Sequence, residues 1–248
     1  MKASVALITG ALSGIGQAAA VAFAKAGHQV VVSGRKPDAG AAFADRLRSL
    51  GAEAEFMLAD VRDEDDVRRL VDGTVARFGR LDIAVNSAGA EGAPGAVTEQ
   101  TIERYAAVFD VNVLGTLLCM KHELRIMQSQ EFGNVVNISS TMGERGAANM
   151  SIYVGSKHAV EGFTKSAAIE AARFGVRVNA VAPGPTETAM LERLTESPDR
   201  MATLIAAVPL KRAAAAEEIA DAILFVASEK AGYITGQIIR VNGGKTAS

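Results

Sequence analysis

Short β-branched runs alternate along the whole chain with longer, alanine-rich stretches of helical periodicity. This alternation predicts β–α–β units, in which parallel strands form a sheet and helices cover both of its faces. The seven expected strands lie at residues 5–8, 29–32, 54–58, 82–85, 134–138, 176–181 and 237–241. The principal helices are expected at 16–26, 41–50, 64–78, 102–127 and 152–174. In such sheets ligands bind at the carboxyl ends of the strands, near the point where the strand order reverses.

The size of the chain predicts one domain. Its 248 residues fit a single large α/β unit, and no Pro-rich, Ser-rich or charged linker divides them. The fold class is therefore α/β, a single Rossmann-like domain spanning 1–248 with a seven-stranded parallel sheet. The segment 185–209 is long for a connection and has little β character, so we expect either a small helical insert or a mobile lid over a substrate.

Charge and apolar patterning exclude several classes of protein. The formal net charge is -2 and no basic block is present, so we expect no nucleic-acid partner, while a small phosphate-bearing ligand stays open. The apolar run at 5–8 is too short for a signal peptide or a spanning helix, which predicts a cytoplasmic protein without membrane contact. Cys119 stands in an apolar stretch and is expected in the core. His28, His122 and His158 share no ligand spacing, so no metal site is expected.

A glycine-rich turn follows the first predicted strand. Its residues are Gly10, Ser13, Gly14, Ile15 and Gly16, in the spacing Gly-x3-Gly-x-Gly. Glycines let backbone amides approach a pyrophosphate, and the positive end of the following helix favours its charge. The alternative is a plain tight turn, but the position directly after the first strand favours a dinucleotide site.

The end of the second predicted strand bears on the choice of cofactor. An NAD site usually places a carboxylate about 20 residues beyond the glycines, where it repels a 2′-phosphate. Here the sequence has Gly34, Arg35 and Lys36, and an arginine can grip a phosphate with two donors. NADP(H) is therefore favoured. NAD(H) is the alternative, with Arg35 and Lys36 as solvated turn residues, and we expect Asp38 to cap the next helix.

Two further turns are expected to contact the cofactor. Asp60 and Val61 follow the third strand, where the carboxylate either accepts from the adenine amino group or caps the next helix. Asn86, Ala88 and Gly89 follow the fourth strand in a turn of small residues, which lets the backbone lie against a cofactor. Both roles of Asp60 stay open at this point.

Ser140, Tyr153 and Lys157 form the predicted catalytic group. Tyr153 and Lys157 are four residues apart on one helix, so they project from the same face, and Ser140 ends the fifth strand. Hydride transfer to a carbonyl builds an alkoxide that needs a proton donor. A free tyrosine with a pKa near ~10 is a poor base, but a neighbouring ammonium favours the phenolate. Ser140 can polarise the carbonyl oxygen through a hydrogen bond.

With these residues in order, the chain resembles a short-chain dehydrogenase/reductase over essentially its whole length. The motifs that carry the resemblance are Thr9-Gly10-x3-Gly14-Ile15-Gly16, Asn86-x-Ala88-Gly89, Asn112, Ser140, Tyr153-x3-Lys157 and Pro183-Gly184-x3-Thr188. The chain departs from the family pattern at two positions. Ser87 stands where most members have a second Asn, and Ser13 stands where many NADP-preferring members have a basic residue.

The resemblance implies specific roles. Lys157 also holds the nicotinamide ribose, and Asn112 anchors a water in a proton relay. Pro183, Gly184 and Thr188 contact the nicotinamide end. It also implies a homotetramer built on the helices that carry Asn112 and Tyr153. From the residues alone, Asn112 could equally be a solvent-facing or locally back-bonded mid-helix residue.

The substrate is expected to be a small ketone or secondary alcohol. The loops that should contact it supply Glu91, Pro94, Met142, Glu144, Arg145, Met150, Met190 and Leu191. This mixture selects no single compound. The alternatives are an NAD-dependent alcohol or sugar dehydrogenase, a 3-oxoacyl thioester reductase, and a non-catalytic dinucleotide-sensing protein. The Ser140, Tyr153 and Lys157 set argues against the sensor, because binding alone requires no acid/base.

Overall fold

A parallel sheet forms the centre of the computed structural model, which describes residues 3–195 and 197–247. Within these residues the strands are β1 (Val5–Thr9), β2 (Gln29–Gly34), β3 (Ala54–Leu58), β4 (Ile83–Asn86), β5 (Gly133–Ile138), β6 (Val176–Pro183) and β7 (Ile238–Val241). Their order is β3-β2-β1-β4-β5-β6-β7, and every neighbouring pair is parallel. The predicted fold class is confirmed.

Helices cover both faces of this sheet. They are α1 (Gly14–Lys25), α2 (Pro37–Ser49), α3 (Glu64–Phe78), α4 (Ile102–Phe109), α5 (Gly115–Gln130), α6 (Ser151–Ala171), α7 (Ala189–Thr195), α8 (Pro198–Ala206) and α9 (Ala216–Ala227). The packing of strand β1 explains why its first four residues are all apolar. Ala6 and Ile8 pack in the core beneath α1 and α9, while Leu7 packs in the core beneath α3, α5 and α6. A strand buried on both faces has no polar alternation.

The strand order reverses between β1 and β4, and this reversal opens a crevice at their carboxyl ends. Gly10, directly after β1, has a φ of 63°, and a Cβ there would lie 2.6 Å from the backbone N of Ala88. Glycine is therefore required at this position for two reasons, the left-handed backbone and the close approach of the turn after β4. The two turns meet at the crevice.

Several boundaries differ from the sequence prediction. The helix expected over 102–127 is two α-helices joined by a π-helical turn, Asp110–Leu114. Asp38 does not cap α2, because Pro37 takes the first helical position and Lys36 becomes the N-cap. Asp38 instead lies in the first helical turn, where its charge suits the helix dipole.

The segment 185–209 carries helices α7 and α8, which agrees with the helical-insert alternative. Its two ends are tied to the rest of the fold, because Thr186 pairs with Ala214 and the Leu210 amide donates to the Gly243 carbonyl at 3.2 Å. Among the helices of the described ranges, none has the length and apolar character needed to cross a membrane. Cys119 is buried, as predicted, and burial raises the pKa of its thiol.

Candidate active site

The glycine-rich turn forms one wall of a cavity of about 700 Å³. Gly10, Ser13, Gly14 and Ile15 line this cavity, whereas Gly16 packs behind them, where a Cβ would lie 2.5 Å from the Gly10 carbonyl oxygen. Ser13 is the N-cap of α1, yet its side chain makes no capping hydrogen bond, and the first turn has no acidic residue. The first amides of α1 therefore lack a side-chain acceptor. A pyrophosphate fits this cradle.

Gly34, Arg35 and Lys36 line the next part of the cavity. A Cβ on Gly34 would lie 2.8 Å from the Leu12 Cδ1, so a larger residue would displace Leu12 from the glycine-rich turn. The Arg35 side chain is 66% exposed, and its Nη1 lies 3.9 Å from the Asp60 Oδ2. A separation of 3.9 Å is too long for a hydrogen bond, so the Arg35 donors are left available for a phosphate.

Asp60 and Val61 also line the cavity. The Arg62 guanidinium donates to both Asp60 carboxylate oxygens, at 3.0 Å to Oδ1 and 2.6 Å to Oδ2. These hydrogen bonds lower the pKa of Asp60. The capping alternative for Asp60 is wrong, because Asp63 is the N-cap of α3 and accepts from the Asp66 amide at 2.8 Å. The adenine role of Asp60 stays a prediction.

The turn after β4 presents Ser87, Ala88 and Gly89 to the cavity, but Asn86 lies behind it in the core. The Asn86 Nδ2 donates to the Glu123 Oε2 and to the Asn137 Oδ1, each at 3.0 Å. Burial raises the pKa of Glu123 to about 7. Asn86 therefore fastens β4 to β5 and α5. It does not line the cavity, whereas the sequence predicts it in a turn that contacts the cofactor.

Ser140 and Tyr153 meet in the lining of the same cavity. Ser140 follows β5, and its Oγ accepts from the Met142 amide at 3.2 Å, which orients the hydroxyl. Tyr153, near the start of α6, is hydrogen-bonded to Ser140. Burial is the main cause that raises the pKa of Tyr153 to about 12, with a smaller contribution from the Glu91 charge, while the Ser140 hydrogen bond opposes them. Tyr153 is thus held as a neutral phenol.

Lys157 lies one helical turn after Tyr153. Its Nζ is 5.6 Å from the centroid of the Tyr153 ring and donates to the Ile138 carbonyl oxygen at 2.9 Å. Burial lowers the pKa of Lys157 to about 8. An ammonium has three donors, and this is the one hydrogen bond that the Lys157 Nζ makes to the described residues, so two donors can serve a ligand.

Asn112 is buried in the π-helical turn, neither facing solvent nor bonded to its own helix through its side chain. Its Oδ1 accepts from the Ala90 amide at 2.8 Å, and its Nδ2 donates to the Ala90 carbonyl at 2.9 Å and to the Ser156 Oγ at 3.0 Å. The Ser156 hydroxyl in turn donates to the Tyr153 carbonyl at 2.7 Å. Asn112 lies behind the residues that line the cavity and clamps the loop after β4 to α6.

Sequence reasoning did not identify Ser156 or the Glu161 cluster. Ser156 is fully buried and directly precedes Lys157, so its place in the helical motif was the available signal. Glu161 is buried, accepts from the Ser139 hydroxyl at 2.8 Å and pairs with Arg240, whose Nη2 lies 2.9 Å from the Glu161 Oε2. Arg240 is on β7, and no spacing rule connects it to α6.

Pro183, Gly184 and Thr188 line the cavity beyond Tyr153. A Cβ on Gly184 would lie 2.8 Å from the Asn242 Cα, so the C-terminal segment packs tightly here. The Thr188 methyl group lies 3.2 Å from the position of a Cβ on Gly14. The start of α7 therefore closes over the glycine-rich turn.

Four of the eight residues that the sequence predicts to contact the substrate line the cavity. Met142, Met150, Met190 and Leu191 line the cavity, but four other candidates do not, namely Glu91, Pro94, Glu144 and Arg145. Glu91 instead accepts from the Arg193 Nε at 2.6 Å and joins the loop after β4 to α7, and Glu144 pairs with Arg240 at 2.8 Å. Sequence reasoning missed Arg193, Arg200 and Lys245 in the wall, because their charges follow no motif.

Comparison with known proteins decides the family. The family model described as enoyl-(acyl carrier protein) reductase matches residues 10–246. A cis-4-hydroxycyclohexanecarboxylate dehydrogenase of Sinomonas cyclohexanicum is 41% identical over 243 residues, which cover 98% of this chain and 96% of the relative. The chain belongs to the short-chain dehydrogenase/reductase family. It is therefore an oxidoreductase of this family.

Other members agree with this assignment. An A-factor type gamma-butyrolactone 1'-reductase (1S-forming) of Streptomyces virginiae is 42% identical, covering 98% of this chain and 95% of the relative. A crystal structure of levodione reductase superimposes with a TM-score of 0.96 at 34% identity, covering 99% and 98% of the two chains. The structure of ElxO with NADP bound has a TM-score of 0.94 at 33% identity and covers 100% of both. The family resemblance predicted from the motifs is confirmed.

Proposed function

We propose that this short-chain dehydrogenase/reductase uses NADP(H) to interconvert a ketone and a secondary alcohol, with Tyr153 as the acid/base. The observation that carries the proposal is the convergence of Ser140, Tyr153 and Lys157 on the cavity that the glycine-rich turn also lines. A binding protein would need the cradle but not a buried phenol beside an ammonium. The whole of 1–248 acts as one oxidoreductase domain, and 185–209 covers the substrate.

The polar groups define the chemistry. NADP(H), when bound, supplies the hydride in reduction and accepts it in oxidation. The Ser140 hydroxyl and the Tyr153 phenol donate hydrogen bonds to the substrate oxygen, which polarise the carbonyl. As the alkoxide develops, the Tyr153 Oη releases its proton to it, and the Lys157 ammonium stabilises the resulting phenolate. A Tyr153 pKa of about 12 keeps the donor protonated at neutral pH.

Asn112 is a positioning residue in this scheme. Its side chain holds Ala90 and Ser156, and through Ser156 the backbone at Tyr153. Its own carbonyl oxygen accepts from the Thr116 hydroxyl at 2.8 Å and has a second lone pair for a water. The proposed relay passes through such a water to Lys157.

Arg35 and Lys36 support NADP(H) over NAD(H). Both line the cavity beside Gly34, and Asp60, the one carboxylate among the described residues that line it, is already paired with Arg62. NADP-bound ElxO, which shares the fold over its whole length, agrees with this preference. We also propose that the other residues that the sequence predicts to bind the cofactor do contact it, with two exceptions. Gly16 and Asn86 shape the cradle from behind.

The names of the relatives favour alcohol and ketone chemistry and leave the compound open. Hydroxycyclohexanecarboxylates and related cyclic ketones are suitable first probes, because a relative at 41% identity is named for one. A 3-oxoacyl thioester is the second class to test, since a 3-oxoacyl-[acyl-carrier-protein] reductase of Synechocystis is 39% identical. An NAD-dependent sugar or alcohol dehydrogenase and a dinucleotide sensor are less favoured.

We further propose a homotetramer. Exposed apolar side chains lie on helices α4, α5 and α6 and on the π-helical turn between α4 and α5. They are Ile102, Tyr105, Leu114, Leu117 and Ile169. Such surfaces usually mark a protein interface. Sedimentation velocity tests the assembly state, and cell fractionation tests the cytoplasmic location that the sequence predicts.

The deciding experiment is a screen of purified protein against ketones and alcohols with NADPH, NADH, NADP⁺ and NAD⁺, read by nicotinamide absorbance. Tyr153→Phe should lower kcat/KM by about 10²–10⁴-fold, the usual contribution of a general acid, without weakening NADPH binding. Tyr233→Phe, which alters a fully exposed tyrosine, is the matched control and should leave the rate unchanged. Cofactor binding without turnover of any compound would contradict the proposal.

A further inference from the structure

The cavity wall is strongly cationic although the chain has a formal net charge of -2. Its charged lining residues within the described ranges include one carboxylate, Asp60, and six cationic side chains. The cations are Arg35, Lys36, Lys157, Arg193, Arg200 and Lys245. The first three belong to the cofactor and catalytic regions described above. The last three lie on the lid or in the C-terminal segment, on the substrate side.

Lys245 differs from the two arginines on that side. Arg193 is already paired with Glu91 at 2.6 Å, and Arg200 has a polar partner of its own. Within residues 3–195 and 197–247, the Lys245 Nζ makes no hydrogen bond or ion pair, although the side chain is half-buried in the cavity wall. The Lys245 ammonium is therefore partly desolvated and has its donors available for an anionic ligand.

A second cation increases this imbalance. The Arg145 Nη1 donates to the Lys245 carbonyl oxygen at 3.2 Å, which brings the guanidinium beside the lysine. Burial and, to a lesser extent, the charge of Arg145 lower the pKa of Lys245. Within the part of the chain that the structure describes, no carboxylate raises the pKa of Lys245, and Glu144 and Glu161 are both paired with Arg240.

The backbone that carries Lys245 is held in place. The Lys245 amide donates to the Asn242 carbonyl at 3.2 Å, and the Asn242 side chain bonds the Thr246 hydroxyl at 2.7 Å and the Gly244 amide at 3.0 Å. Asn242 also packs against Gly184 at the nicotinamide end. Lys245 therefore projects from a tight, anchored turn rather than from a free tail.

From this arrangement we infer that Lys245, assisted by Arg145, binds a carboxylate on the substrate. The inference rests on the proposed function and specifies its substrate class. The same cavity is also lined by the apolar side chains Met142, Met150 and Leu191. The substrate is accordingly an oxo or hydroxy acid with an apolar body, whose oxygen meets Tyr153 while its carboxylate meets Lys245.

The test compares 4-oxocyclohexanecarboxylate with its methyl ester, which has the same ketone but no charge. For the wild type, kcat/KM should be at least tenfold higher for the acid. Lys245→Met should lower kcat/KM for the acid about tenfold or more, chiefly through KM, because a hydrogen bond between charged groups is lost. The ester should be unaffected. Lys25→Met, at the exposed end of α1, is the matched control and should change kcat/KM for neither substrate.

Calorimetric titration with cyclohexanecarboxylate and with the neutral cyclohexanecarboxamide separates this inference from the proposed function. Lys245-dependent binding of the carboxylate without turnover of any ketone would support the anion site and overturn the proposed reaction. Ketone turnover with equal use of acid and ester, or unchanged KM in Lys245→Met, would overturn the anion site alone. Absence of both binding and turnover would overturn both. If circular dichroism shows that the Lys245→Met protein is misfolded, Lys245→Gln provides a second neutral variant.

Discussion

Replacing Lys157 with methionine should abolish activity and yet make the protein more stable at pH 7. The Lys157 ammonium is buried, and burial lowers its pKa from 10.5 to about 8. At 1.36 kcal/mol per pKa unit this depression corresponds to about 3 kcal/mol of unfavourable free energy in the folded state. Methionine has a similar length and shape without the charge, so the variant avoids this cost.

The expected gain is smaller than the full cost of the charge. The Ile138 carbonyl loses its hydrogen bond from the Lys157 Nζ, which reduces the gain by about 1 kcal/mol. A net stabilisation of about 2 kcal/mol corresponds to an increase in Tm of about 4–8 °C for a chain of this size. Urea unfolding at one fixed protein concentration measures the difference, because any assembly would make stability depend on concentration.

The pH dependence identifies Lys157 as the cause. Between about pH 8 and 10.5 the unfolded wild-type chain binds more protons at Lys157 than the folded chain does, so wild-type stability rises with pH across this window relative to the variant. The full cost is present below pH 8 and is relieved towards pH 10.5. The advantage of Lys157→Met should therefore be largest at pH 7 and shrink above pH 8. A variant less stable than wild type at pH 7, or a difference that does not change with pH, would refute the reasoning.

Three further predictions follow from single contacts. Arg35→Ala should raise the Kd for NADPH about 10–100-fold with little change for NADH, measured by nicotinamide fluorescence, and equal losses would show that Arg35 does not bind the phosphate. Asn112→Ala should lower the free energy of unfolding by about 2–3 kcal/mol and reduce kcat, because buried groups of Ala90 and Ser156 lose their partner. Gly10→Ala should abolish cofactor binding. Gly51 has a φ of 93° but open space around it, so Gly51→Ala should lower the free energy of unfolding by only about 1 kcal/mol, through backbone strain.

The layered fold was predictable because strand and helix periodicity are local properties of the chain. Strand β1 illustrates this, since its uninterrupted apolar run specified burial on both faces. The π-helical turn at Asp110–Leu114 was not predictable in the same way. Its residues follow an ordinary helical pattern, and the buried Asn112 that it carries is satisfied only by a loop and a helix far away in the chain.

Asp60 and Asn86 show the same limit within the site. Asp60 lies just after β3 and Asn86 is the last residue of β4, but position at a strand end does not decide which way a side chain turns. Asn86 turns into the core because Glu123 and Asn137 offer it hydrogen bonds there. Asp60 stays at the cavity because Asp63 already caps α3 and Arg62 holds the Asp60 carboxylate.

The sequence by itself determined the parallel sheet, the glycine-rich turn after β1, and the presence of Ser140, Tyr153 and Lys157. These depend on periodicity and on spacings of a few residues. Only the tertiary structure decided which titratable groups are removed from water and which charges face one another. Burial raises the pKa of Tyr153 to about 12 and lowers that of Lys157 to about 8, and chain packing brings Arg145 to Lys245, 100 residues away. Desolvation and long-range contacts arise from packing, which no local pattern encodes.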